Sequence, residues 1–197
     1  MPPVPALLWT RATRTMPGIL LAAMALALGP LLGLFLDQAP ILDSDRDLIA
    51  PWLALVATAS TSMAVWGLQG LSFARRTQAR PLLTDTLAAT GMVLATLVLA
   101  AGSLILSGFH VHLSHIPMEA LRMGSLAALL VTLWPGAPRL APALVWIPAW
   151  LVPAAVPVAP LKVLSPFQTT PTVSLTATAG LLLLALASSP HALRDPR

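Results

Sequence analysis

The stretch Leu48–Ala74, LIAPWLALVATASTSMAVWGLQGLSFA, runs 27 residues between Asp47 and Arg75 without a charge. An apolar run of 18 or more residues is long enough to cross the roughly 30 Å hydrocarbon core of a bilayer as a helix. Similar stretches recur outward from it along most of the chain. Hydrophobic residues make up 57% of the 197, charged residues 9%, and mean hydropathy is +0.83. A soluble domain usually carries about a quarter charged residues. The pattern predicts an all-α polytopic membrane protein, with 1–197 as a single transmembrane domain.

Six spans are predicted, at about Gly18–Leu36, Leu48–Leu71, Leu83–Ser107, Arg122–Trp134 with some extension at its start, Leu140–Ala159 and Val173–Ser188. In the fourth only Met123 to Pro138 is charge-free, and Glu119 and Arg122, three apart, are spaced to pair on a helix and dip into the interface. The run from Gly18, preceded by Arg11 and Arg14, is too long for a signal-peptide core and lacks a clear small-x-small cleavage site, so it reads as a retained span. Before it, Leu7, Leu8, Trp9 and Ala12 interleave with Arg11 and Arg14, which suits an interfacial helix over Pro2–Arg14 or a plain ordered tail.

Pro142, Pro148, Pro153, Pro157, Pro160 and Pro166 puncture the fifth block. Each interior proline removes a backbone hydrogen bond and tends to kink the helix. Irregular backbone at membrane depth is tolerated only when buried in protein or facing water. The prolines therefore predict a kinked fifth helix that runs into short re-entrant pieces over about Ile147–Pro171, anchored by Trp146 and Trp150.

Charge sets the orientation. Arg11, Arg14, Arg75, Arg76, Arg80, Arg139, Arg194 and Arg197 fall on one side of the six spans. Arg46, Arg122 and Lys162 fall on the other, with Asp37, Asp43, Asp45, Asp47 and Glu119. The positive-inside rule then makes both termini cytoplasmic. The net charge of +4 reads as this orientation signal rather than as nucleic-acid binding. The alanine-, leucine- and proline-rich composition looks like that of a GC-rich bacterial genome, and the expected location is the bacterial cytoplasmic membrane.

The absence of cysteine excludes disulfides, thiolate metal sites and a cysteine nucleophile. No phosphate-binding Gly-x-x-x-x-Gly-Lys-Ser/Thr loop, Gly-x-Ser-x-Gly elbow or His-Glu-x-x-His motif occurs, so the chain carries no catalytic motif. Asp85, at the cytoplasmic end of the third span, is the nearest approach to an intramembrane acid. The aspartates of 37–47 read as a solvated acidic loop before a cation site.

Chemistry-bearing side chains cluster in Phe109-His110-Val111-His112-Leu113-Ser114-His115 with Glu119 beyond. At spacings of three and four, His112, His115 and Glu119 would share a helical face, and with His110 they are candidate ligands for zinc or copper. Solvated or interfacial histidines are the competing reading, and the better one for so weak a pattern. In the second span Thr58, Thr61 and Ser62 share a face, suited to a translocation path or, preferably, to packing by hydrogen bonds. Gly29-x-x-x-Gly33 and Gly91-x-x-x-Ala95 would permit close helix contact.

Layout adds a resemblance. A short basic helix precedes the first span. The basic linker Phe73-Ala74-Arg75-Arg76-Thr77-Gln78-Ala79-Arg80-Pro81 joins spans two and three, and Pro135-Gly136-Ala137-Pro138-Arg139 makes a tight turn between four and five. A proline-broken segment with Leu164-Ser165-Pro166-Phe167 precedes the sixth. In this order the chain resembles the six-span permease subunit of type-2 ABC exporters, the ABCG-like transmembrane fold. The linker departs from that family in being purely basic before Asp85. The resemblance implies a separate ABC ATPase subunit that binds ATP and Mg, a second permease copy or homologous permease, and a hydrophobic or amphipathic substrate such as a lipid, peptide or drug. It also implies that Arg75, Arg76 and Arg80 touch the ATPase. The alternative is a non-catalytic accessory or anchoring subunit of a larger membrane complex, and the scarcity of intramembrane polar groups suits it. A metalloenzyme centred on His110, His112 and His115 ranks last.

Overall fold

The computed structural model of the chain describes residues 4–38, 45–71, 81–133 and 171–192. They form helices α1 (Val4–Arg14), α2 (Met16–Gln38), α3 (Asp45–Gln69), α4 (Pro81–Leu106), α5 (Ile116–Leu133) and α6 (Pro171–Ala192), with a 3-10 turn at Leu113–His115. No strand occurs among the described residues. Proline marks the starts: Pro81 and Pro171 open α4 and α6, while Pro17 and Pro117 stand second in α2 and α5. In the first turn the missing N–H would have no helical acceptor, and the fixed φ suits the helix.

Four helices are long and apolar enough to cross a membrane, over Met16–Leu34, Ile49–Gln69, Leu82–Leu106 and Leu113–Leu133. They match the first four expected spans. The expected extension at the start of the fourth is longer than the charge-free run suggested: its apolar stretch begins at Leu113, so Glu119 lies within it as well as Arg122. The proposed sixth span falls within α6, whose apolar part is the shorter Leu175–Leu184. The expected fifth span and the segment Ile147–Pro171 lie outside the described residues.

Packing centres on α4, which contacts α1, α2, α3 and α5, while α6 lies chiefly against α5. Within its crossing stretch α2 is only 28% buried and α5 is 72% buried, so α2 is peripheral and α5 enclosed. Lipid tails are as apolar as leucine, so close packing and interhelical hydrogen bonds, not burial from water, hold such a bundle together. Two glycines allow another helix's backbone to approach closely. A Cβ on Gly124 would stand 2.7 Å from the Thr90 amide nitrogen and 2.8 Å from its Cα, and one on Gly29 would stand 2.5 Å from the Ser103 carbonyl carbon. Gly33 and Gly91, which the small-residue motifs singled out, have nothing within 4 Å of such a position. The helix contacts therefore use Gly29 but not its motif partner, and they use Gly124 in place of Gly91.

α4 ends through a glycine. Gly108 takes φ +91°, its N–H donates to the Ile105 carbonyl at 3.0 Å, and Phe109 N–H reaches the Leu104 carbonyl at 3.0 Å. These two bonds satisfy carbonyls left over at the helix end, with Gly108 free of the steric cost a Cβ would bring there. Phe109 then packs against the core.

Candidate functional site

Polar groups inside a membrane bundle are expensive, and they mark where function or specific packing resides. In α5, Arg122 and Glu119 are exposed by only 1% and 4%. Their spacing of three places them on one face, and Arg122 Nη1 lies 3.3 Å from Glu119 Oε2 and 3.5 Å from Oε1. Arg122 sits about 9 Å along α5 from its first residue at 1.5 Å per residue. The expected pairing is present, but it is enclosed by protein instead of dipping into the interface.

A second polar layer joins α3 to α4. Ser60 Oγ and Thr96 Oγ1 are 2.6 Å apart, and Thr96 Oγ1 also lies 2.6 Å from the Met92 carbonyl. Thr96 has one hydroxyl hydrogen; given to Met92, it makes Ser60 the donor across the interface. Thr58, Thr61 and Ser62 share this interior. Thr58 donates to Ala54 O at 2.7 Å, Thr61 to Ala57 O at 2.7 Å and Ser62 to Thr58 O at 3.0 Å. All three are buried with their hydrogens turned onto their own helix. The face that sequence spacing offered as a path lies in packed protein.

A third polar contact repairs α2. Pro30 has no N–H, so the Leu26 carbonyl four residues earlier lacks its helical donor. The Ser103 hydroxyl of α4 donates to that carbonyl and accepts from Gly29 N–H at 3.0 Å. Asp85, in the second turn of α4, is fully enclosed, and Gln69 at the end of α3 is also buried.

α1 docks on the end of α3. Leu8, almost fully buried, lies where a Cβ on Gly67 would stand, and the Arg11 guanidinium does the same at Gly70. The Arg11 guanidinium carbon is 4.7 Å from the Trp66 ring centroid, within reach of a cation–π contact. Two glycines one turn from each other thus admit the side of the N-terminal helix that carries Leu8 and Arg11.

The histidines do not converge. His112 has an extended backbone (φ −77°, ψ 92°) before the 3-10 turn and His115 ends that turn, so the expected common helical face with Glu119 does not exist. His110 and His112 are exposed and His115 half-buried, while the Glu119 carboxylate is turned to Arg122. Among the described residues no group of three or more histidine, aspartate or glutamate side chains is placed to hold a metal. Arg75, Arg76 and Arg80 lie outside the described residues, as does Asp43.

Ser103, Thr90 with Gly124, and Gly67 with Gly70 escaped the sequence reading. Only Pro30 gave a readable signal, since an interior proline demands a substitute donor, though not from which helix. Comparison of the chain with protein-family models, with curated proteins and with solved structures finds no match.

Proposed function

We propose that this chain is the membrane-spanning permease subunit of an ATP-driven ABC exporter that moves a hydrophobic or amphipathic substrate with a separate ATPase subunit. One observation carries the reading. The amphipathic α1 is fastened by Leu8 and Arg11 to the last turn of α3, immediately before the arginine-rich linker of 72–80. A push on that linker by an ATPase would reach α1 and α3 as a unit. Arg75, Arg76 and Arg80 are the coupling residues in this scheme, and ATP and Mg belong to the partner. The interior hydroxyls of Thr58, Thr61 and Ser62 are engaged in packing, so a substrate path runs between two permease copies in preference to the centre of one. Six spans, the re-entrant stretch before α6 and cytoplasmic termini in a bacterial inner membrane complete the proposal. With Arg122 inside the bundle, the charge asymmetry rests on eight basic residues against Arg46 and Lys162.

A non-catalytic anchoring subunit is the second reading, favoured by the enclosed pairing of Glu119 with Arg122 and by Thr58 and Thr61, whose hydroxyls bond to carbonyls of their own helix. Native mass spectrometry of the gently solubilised complex separates the two. Two ATPase subunits in the particle support the exporter; a particle with other membrane proteins and no ATPase removes its energy source and leaves the anchoring role.

A further inference from the structure

α1 divides lengthwise. Its inner side is engaged by Gly67, Gly70 and Trp66. Its outer side exposes Pro5, Ala6, Thr10 and Thr13, with Trp9 at 54% exposure and Arg14 at the end. The two threonine hydroxyls on that side turn inward, Thr10 donating to Ala6 O at 2.8 Å and Thr13 to Trp9 O at 3.0 Å. With those hydrogens committed, the surface presents methyl groups and an indole. α1 contains no acidic residue, and both its charges, Arg11 and Arg14, are basic and fall in the last turn. Only Thr15 separates this helix from Met16, where the first membrane-crossing stretch begins. The outer face is therefore tethered next to the end of a stretch apolar enough to cross a membrane.

We infer that the outer face of α1 is a docking surface for anionic phospholipid headgroups of the bilayer. Arg14 takes the phosphate, the half-exposed Arg11 one turn earlier adds positive potential, and Trp9 lodges among the glycerol and upper acyl groups. An indole with one apolar and one polar edge favours that zone, and anionic lipid attracts nearby basic residues. A protein partner would have to compete with lipid beside the apolar stretch that begins at Met16 and supply its own acidic surface. The last-turn arginines also suit the helix dipole, which is indifferent to lipid type, so the test must read lipid choice.

The full-length protein is reconstituted in nanodiscs of equal phosphatidylcholine and phosphatidylglycerol, extracted, and examined by native mass spectrometry for retained lipid. The wild type is expected to prefer phosphatidylglycerol, and Arg14→Gln to lower the preference by about five-fold. Trp9 is read separately, as the difference in emission between wild type and Trp9→Phe in vesicles carrying lipid brominated near the headgroup; that difference is expected to be quenched. Equal retention of the two lipids, a preference unchanged by Arg14→Gln, or an unquenched Trp9 overturns the inference, the last by showing that something other than lipid covers the face. Both side chains are exposed, so these variants leave the bundle's packing intact.

Discussion

The Ser103 hydroxyl donates to the Leu26 carbonyl, the acceptor that Pro30 deprives of its helical donor. A proline at membrane depth is acceptable when a neighbouring helix supplies the missing bond, and here one serine on α4 both gives to Leu26 and receives from Gly29.

Ser103→Ala is expected to destabilise the bundle by about 1–3 kcal/mol, the cost of leaving a buried polar group unsatisfied. Pro30→Ala restores an amide that can bond to Leu26 within α2. In that background Ser103→Ala should cost measurably less. A thermal-unfolding double-mutant cycle in detergent reads the coupling; strictly additive effects would refute the repair.

Gly124→Ala forces a methyl onto the Thr90 backbone, which cannot swing aside as a side-chain tip can. A loss of about 1–3 kcal/mol is expected from such overpacking. Gly91→Ala meets open space and should leave the melting temperature nearly unchanged. Equal melting temperatures for the two variants would contradict the close α4–α5 approach.

Replacing one member of the enclosed ion pair leaves its partner's charge buried. Arg122→Met or Glu119→Gln alone is expected to cost about 3–5 kcal/mol. The double variant Glu119→Leu with Arg122→Met should recover most of that loss, because an apolar pair of similar volume often matches a buried salt bridge. Folding yield and melting temperature of the three proteins check the ordering, and a double variant no better than the singles would count against pairing.

Trp66→Leu removes the ring beneath Arg11, a contact worth about 0.5–2 kcal/mol. Because α1 bonds only along one side, the effect is expected locally: faster tryptic cleavage after Arg11 and Arg14 with little change in global melting. Gly70→Ala should do the same by displacing the guanidinium. Unaltered cleavage rates in both would show that this contact does not fasten α1.

Spans one to four were legible because an uninterrupted apolar run has few other uses, and 27 residues from Leu48 are ample for a crossing. The length of the fourth's extension was not, because Glu119 and Arg122 interrupt its hydropathy while pairing within the helix. Motif spacing misled at Gly91, since a small residue permits an approach without requiring one. The weaker reading of the histidines, a shared metal-binding face, needed a helix: spacings of three and four share a face only on one, and Gly108 and the extended His112 put most of that segment outside it. The α1 dock needed Gly67 and Gly70 to be seen opposite Leu8 and Arg11, residues nearly sixty positions apart in sequence.

The pairing of Glu119 with Arg122 is internal to one helix, and that bears on how the protein is made. During synthesis α5 leaves the insertion machinery after α2, α3 and α4. A lone arginine opposes partition into the bilayer by up to about 2.5–3.5 kcal/mol at a helix centre and by less towards its ends, where Glu119 and Arg122 stand. Joined three residues apart, the two charges can neutralise each other as soon as the helix itself forms. α5 can then commit to the lipid first and find its neighbours afterwards.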